Sequence, residues 1–324
     1  MKENNLSVTF IIPHRETESI ETTVSNIKKL CEESRISYEI LSVCGNNPTK
    51  QRNECIKLAK NEYIYFLDND SILTKESFSE LKNYLEVNPD TAVIGGPSVT
   101  PPSDSYLQKN FGAILSSFSA VGKISSRYSK QGKIRETDDS ELILCNLVVK
   151  KAIFEKYGEF SAHLYPNEEN EFIYRIKNSG EKVIYCPNVY VFRPHRDTLK
   201  NFIKQMFNYG RGRAEQTRVS PRSFKWFVLV PVIFSLYVLA GLFLITIFTV
   251  KRYILLFFTP FFAYLIIMLA SFIYKSFKDK IIYIYYPLAY FLAHVCYGLG
   301  LLYGFLKRNF TADEKVFYHK IKRV

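Results

Sequence analysis

Apolar positions in the first seventy residues alternate between two spacings. Val8 to Ile12 is an unbroken β-branched and aromatic run of strand length, closed by Pro13. Ile20, Val24, Ile27 and Leu30 then recur at helical spacing. Tyr38 to Val43 predicts a second buried strand, Gln51 to Lys60 a helix, and Tyr63 to Leu67 a third strand that stops at Asp68. Units of this kind predict an α/β fold, a Rossmann-like, mostly parallel sheet with helices on both faces. Ligands of such sheets sit beyond the C-terminal ends of the strands. Pro13, the loop from Cys44 to Arg52, and Asp68-Asn69-Asp70 all fall at such ends, so three segments converge on one crevice.

The pattern changes near the C-terminus. Trp226 to Val250, Tyr253 to Tyr274 and Ile281 to Leu306 contain no Asp, Glu, Lys or Arg. Each exceeds the roughly 20 residues that span a bilayer core. Too little chain remains to bury them in a soluble domain, so they predict a transmembrane region of two or three spans. The net charge of +12 follows the same division, because 20 of the 43 basic residues but only 5 of the 31 acidic ones lie from Arg193 onward. Arg193, Arg196, Lys200, Lys204, Arg211, Arg213, Arg218, Arg222 and Lys225 precede the first stretch, which places the preceding domain in the cytoplasm. The expected organisation is a domain over 1–215, a basic juxtamembrane segment over 216–225, membrane helices over 226–306 and a basic tail over 307–324. Three spans would leave that tail on the far side, against the charge rule. A tight hairpin around Lys251 and Arg252, or one re-entrant or interfacial stretch, restores it to the cytoplasm. His294, inside the third stretch, reads as a packing or hydrogen-bonding residue.

Composition narrows the function classes. Hydrophobic content of 47% excludes disorder as the dominant state. No basic patch interleaved with exposed aromatics points to nucleic acid, so the positive charge is assigned to membrane lipid. The six cysteines lack CxxC spacing, which indicates neither a zinc site nor a disulfide framework and fits a reduced, cytosolic setting. Met1 to Ser7 is polar and carries no secretory signal. The expected location is the inner (plasma) membrane, multi-pass, with the first domain cytoplasmic.

Asp68 and Asp70 are two apart at the end of an apolar strand, a spacing that turns both carboxylates toward one hard cation or a metal-bound diphosphate. Oxygen ligands suit Mg²⁺ or Mn²⁺. An EF-hand loop is disfavoured, since Leu73 stands where that loop needs Gly.

In order along the chain, the strand with Pro13, Gln51-Arg52-Asn53, Tyr63 to Asp70, Pro166 to Phe172, and Gln205 to Arg213 resemble the family 2 glycosyltransferases of the GT-A fold, of the membrane-anchored bacterial type that builds surface polysaccharide. The resemblance covers roughly Val8 to Arg213. It implies transfer of a sugar, with inversion, from a nucleotide-diphosphate donor, a UDP-sugar foremost, to a lipid-linked saccharide. Asp68 and Asp70 would anchor metal and donor, and a divalent cation would stabilise the departing diphosphate. Pro13, Arg52, Asn53, Asp68, Gln205 and Arg211 would contact the donor, and His195 would complete the metal site. An inverting displacement needs a general base. By position it is Glu169, where the family has Asp, or Glu168. A competing reading has Glu168, Glu169 and Glu171 merely complementing a helix N-terminus. The basic segment with Arg211 and Arg213 has two readings of its own, a contact to diphosphate or to lipid headgroups.

Two departures matter. The loop Cys44-Gly45-Asn46-Asn47-Pro48 lacks the family's nucleotide-binding Asp, and Gln205 is followed by Asn208-Tyr209 instead of the Arg-Trp of processive members. The stretch Pro97 to Asp139 reads as a long, partly irregular insertion suited to acceptor binding. Alternatives kept open are a polyprenyl-phosphate glycosyltransferase and a non-catalytic, sugar-nucleotide-binding relative. A transporter is disfavoured, because the spans hold no paired charges.

Overall fold

The computed structural model describes residues 6–247, 257–310 and 321–324; Lys251, Arg252, Tyr253, Lys315 and Lys320 lie outside the described residues. The chain divides into two compact units. One comprises Met1–Pro102, Ser126–Pro194 and Asn309–Val324, the other Ser103–Ser125 and His195–Arg308.

The first unit begins β1 (Ser7–His14), α1 (Glu21–Ser34), β2 (Ser37–Cys44), α2 (Pro48–Leu58), β3 (Tyr63–Leu67), β4 (Ile72–Leu73), α3 (Lys75–Val87), β5 (Val93–Gly95) and β6 (Ser98–Val99). The chain then supplies α4 (Tyr106–Leu115) and α5 (Phe118–Val121) to the second unit. It returns with β7 (Arg135–Glu136), β8 (Asn146–Lys150), α6 (Lys151–Tyr157), α7 (Glu168–Asn178), β9 (Val183–Tyr185) and β10 (Val191–Phe192).

Beyond β10 the second unit resumes with α8 (Leu199–Val219), α9 (Val230–Ile247), α10 (Thr259–Asp279) and α11 (Tyr286–Leu306), and β11 (Lys322–Arg323) rejoins the first. Among the described residues the main sheet runs β11-β2-β1-β3-β8-β5-β9-β7, and a small sheet runs β4-β10-β6.

β2, β1 and β3 are parallel, with Ile11 opposite both Leu41 and Phe66. β8 lies antiparallel between β3 and β5. The sheet is mostly parallel as expected, with β2, β1, β3, β5 and β9 running one way and β11, β8 and β7 the other. β8 runs against its neighbours because of connectivity: it is reached through the long excursion from 96 to 145 and not through a βαβ crossover, the connection that enforces parallel pairing.

Both faces of the sheet are covered, which is why its strands read as continuous apolar runs. Phe10 and Ile12 pack with Val24 and Ile27 of α1 and Phe78 of α3. Ile11, Leu41 and Val43 point the other way, toward Ile56 of α2, Phe154 of α6 and Phe172 of α7. The rings of Phe154 and Phe172 lie 4.8 Å apart, centroid to centroid, fixing the start of α7 against the sheet.

In the second unit, α4 opens with a capping box formed by Ser105 and Gln108, so the expected irregular insertion holds a defined helix. Phe111 of α4 stacks on Phe202 of α8 at 4.2 Å. The stretches Trp226–Leu244, Thr259–Asp279 and Tyr286–Leu306 are long and apolar enough to cross a membrane. α8 and α11 touch backbone to backbone, because a Cβ on Gly300 would stand 2.0 Å from the Phe207 carbonyl oxygen and one on Gly210 would stand 2.0 Å from that of Tyr297. His294 bonds to Tyr264 Oη at 3.1 Å and to the Ala120 carbonyl at 2.7 Å, a packing role.

Candidate active site

The site forms where β1, β2 and β3 end. Asn47 caps α2, its Oδ1 accepting from the Lys50 amide at 3.1 Å, and Pro48 supplies the first helical residue. Gln51 Nε2 donates to the carbonyls of Val43 (2.7 Å) and His14 (3.3 Å), stitching together the ends of β2 and β1, where Pro13 lies opposite Val43. One residue on, Arg52 points across the strand ends. Its guanidinium lies 3.1 Å from Asp68 and 3.0 Å from Glu168, two carboxylates on different elements, while the Arg52 and Glu168 side chains are 6% and 2% exposed.

Asp68 and Asp70 flank a turn in which the Ser71 amide donates to the Asp68 carbonyl at 3.1 Å. The Asn69 carbonyl accepts from Thr23 Oγ1 at 2.7 Å, anchoring the turn to α1. A second guanidinium, from Arg193 just past β10, lies 3.0 Å from Asp68 and 3.0 Å from Asp70. One cation thus already bridges the two carboxylates predicted to share one. This hard-oxygen pair fits a divalent ion in ligand chemistry and in convergence.

The second acidic pair starts α7. Asn167 caps it in the left-handed conformation, φ 87°, a region that Asn tolerates. Glu169 lies 3.8 Å from Arg127, whose other nitrogens donate to the backbone of Asp139 and Ser140 and to Asn170 Oδ1. Glu171 is spent on its own helix, 3.1 Å from Arg175. Burial and the neighbouring Glu169 push the Glu168 carboxyl up to about 7, against the opposing pull of Arg52.

The structure therefore brings Arg52, Asp68, Asp70, Glu168 and Glu169 into one region and adds Arg193 and Arg127, which sequence reasoning missed. By sequence Arg193 belongs to the basic run ahead of the membrane stretches; its pairing with Asp68 and Asp70 puts it at the strand ends instead. Asn53 is also reassigned. Its amide donates to the Phe160 carbonyl at 2.8 Å and accepts from the Phe160 amide at 3.2 Å, so the expected donor contact gives way to a buried tether. Gln205, Arg211 and His195 belong to the second unit. Gln205 bonds to Tyr209 at 2.9 Å, Arg211 lies 3.7 Å from Glu215, and the His195 backbone is held by Asp104 and Gln108. Among the described residues no three His, Cys, Asp or Glu side chains converge on a common point.

Residues 17–158 match the family described as Glycosyl transferase family 2. A Methanococcus voltae protein, dolichyl N-acetyl-alpha-D-glucosaminyl phosphate 3-beta-D-2,3-diacetamido-2,3-dideoxy-beta-D-glucuronosyltransferase, is 23% identical over 307 residues, covering 91% of this chain and 87% of its own. Poly(ribitol-phosphate) beta-N-acetylglucosaminyltransferase TarP of Staphylococcus aureus is 32% identical over 73 residues, 22% of each chain. Mannosyltransferase PcManGT from Pyrobaculum calidifontis, solved with GDP-Man and Mn²⁺, superimposes with a TM-score of 0.56 at 12% identity, covering 89% of this chain and 86% of that one.

Proposed function

Since this chain is a glycosyltransferase whose residues 17–158 form a family 2 domain of the GT-A fold, we propose that it transfers a sugar, with inversion, from a nucleotide-diphosphate donor to a lipid-linked acceptor at the cytoplasmic face of the inner membrane. The observation that carries this reading is the linked cluster at the strand ends: a carboxylate pair facing one cation, joined through Arg52 to a second pair at the start of α7. The similarity over 91% of the chain to a transferase named for a dolichyl-phosphate-linked sugar supports the acceptor class, and the three apolar helices support its location.

Asp68 and Asp70 would hold Mg²⁺ or Mn²⁺, which when bound supplies positive charge to the departing diphosphate. Arg193 and Arg52 add fixed positive charge at the same place. Glu169, 3.8 Å from Arg127, takes the proton of the acceptor hydroxyl. Glu168 is a positioning residue: through Arg52 it fixes Asp68 relative to the start of α7. The donor contacts of Pro13, Gln205 and Arg211 and the metal role of His195 remain parts of this proposal, each testable by its own variant.

The test is nucleoside-diphosphate release by purified protein in detergent, screened across sugar nucleotides with membrane lipid extract, with and without Mn²⁺ or Mg²⁺. Asp70→Ala and Glu169→Gln should each lower turnover about 100-fold or more, the scale of a lost general base or electrostatic stabiliser. Turnover within tenfold of the parent in Glu169→Gln would remove its role as base. Metal-dependent donor binding without turnover in an active extract would leave a sugar-nucleotide-binding protein.

A further inference from the structure

We propose that α11 does not cross the membrane: it lies in the plane of the interface beside α8, and α9 and α10 alone cross, as a hairpin. This rests on the membrane reading above. It contradicts the hydropathy of α11, and three observations carry it.

The first is the company α11 keeps. α8 and α11 run side by side in one direction, with Phe207 against Gly300, Arg211 against Gly304, and Arg218 donating to the carbonyls of Lys307 (2.6 Å) and Arg308 (3.0 Å). α8 carries Lys200, Lys204, Arg211, Arg213 and Arg218 over its 21 residues. A helix charged along its length is costly in the hydrocarbon core and belongs at headgroup depth, where the exposed Lys200 and Lys204 meet anionic phosphates and Arg211, Arg213 and Arg218 are held by Glu215, Gln216 and the Lys307 and Arg308 carbonyls. Backbone contact with α8 along so much of its length holds α11 at that depth too. Coverage agrees: 39% of the α11 span is buried by protein, against 11% for α9 and 17% for α10. Exposed large apolar residues are more numerous on the other two, such as Ile233 and Leu242 on α9 and Ile266 and Ile273 on α10.

The second observation fixes the side on which α11 begins. The turn after α10 is held by α4: Tyr106 Oη donates to the Ile282 carbonyl and accepts from the Ile284 amide at 2.9 Å, and Asn110 Oδ1 accepts from the Tyr285 amide at 3.0 Å. α4 lies in Ser103–Ser125, whose chain neighbours Pro102 and Ser126 both belong to the α/β unit. Leaving and returning across a bilayer takes roughly 40 residues, about twice what this segment has. The turn is therefore on the α/β side.

The third fixes where α11 ends. β11, beyond it in the chain, pairs with β2, and the Val324 amide donates to the Ile40 carbonyl at 3.1 Å. Both ends of α11 thus lie on one side. An interfacial helix with an apolar face toward the acyl chains satisfies this, and a spanning one does not.

Three cysteine variants decide it in full-length protein. Cys44 and Cys296, the half-buried cysteines, are first replaced by serine. Glu76→Cys on α3 marks the α/β side, and Ile282→Cys and Arg308→Cys report the two ends of α11. Each variant is labelled with a membrane-impermeant maleimide in right-side-out and inverted vesicles, with detergent-opened vesicles as the control. The expected result is that Ile282→Cys and Arg308→Cys react only in the orientation in which Glu76→Cys reacts, and that alkaline carbonate leaves the protein in the membrane. Arg308→Cys reacting from the opposite face means three crossings and overturns the proposal. Ile282→Cys reacting from the opposite face makes α9 or α10 the in-plane helix, which also overturns it. Release by carbonate sinks the membrane reading itself.

Discussion

Arg193 holds Asp68 and Asp70 together with a charge that a metal ion would otherwise supply. Removing it should ease the competition: Arg193→Gln is expected to lower the Mn²⁺ concentration for half-maximal donor binding several-fold, read by a binding titration across metal concentrations. Glu168 sets the pH response. Its carboxyl, raised to about 7, binds a proton more tightly folded than unfolded. The stability gained from that proton is present in full below the unfolded value of about 4.3 and is lost as pH rises through about 7. The ion pair with Arg52 follows the opposite course, forming as pH rises through 7. Wild-type turnover should therefore climb through pH 7 while its thermal stability declines. Glu168→Gln should flatten both profiles, as measured by pH-rate curves and by melting in detergent at pH 5 and pH 8. Asp68 and Asp70 were legible as a pair because they close an apolar strand two residues apart. Arg193 was not, since 123 residues separate it from Asp70 and nothing local marks a guanidinium for an ion pair rather than for lipid.

At the level of elements, α2 owes its position to side chains, not to its own helical preference. Asn53 anchors it to Phe160 by two hydrogen bonds and Thr49 Oγ1 to the Leu164 carbonyl at 2.7 Å. Asn53→Ala leaves buried backbone groups of Phe160 without these partners, and a loss of about 1–3 kcal/mol is expected in denaturant unfolding. Donor affinity of the folded fraction should change far less. α8 and α11 depend on the absence of side chains. Gly300→Val drives methyl groups into the Phe207 backbone, so a melting temperature several degrees lower, or failure to accumulate, is expected; Gly300→Ala should be milder. The strands up to β3 were readable because each is a bounded apolar run, and α1 because its apolar positions recur at helical spacing. The direction of β8 was not, since direction depends on how the chain arrives. α4 was hidden for another reason: its capping box lies in a Ser- and Pro-rich context that also fits a loop.

For the whole molecule, the conflict between an apparent three spans and a basic tail is resolved if one apolar helix lies flat, and the candidates cannot be told apart by hydropathy. The distinction lies in partners, since α11 is apolar all round yet packed against a charged neighbour. The tail has a structural task as well: β11 covers the free edge of β2, and Arg323 reaches Glu39 at 3.5 Å and the Leu58 carbonyl at 3.2 Å. A chain ending at Arg308 should show faster hydrogen exchange at Ser42, whose backbone faces β11, with Leu41, which faces β1, and with α1 and α3 unaffected; unchanged exchange would mean the pairing contributes nothing to the edge. An open strand edge is also a template for wrong partners. During synthesis β2 leaves the ribosome early and β11 only after every apolar helix, so the catalytic sheet keeps one sticky border until membrane insertion is over. A nascent chain held up in insertion would keep that edge open.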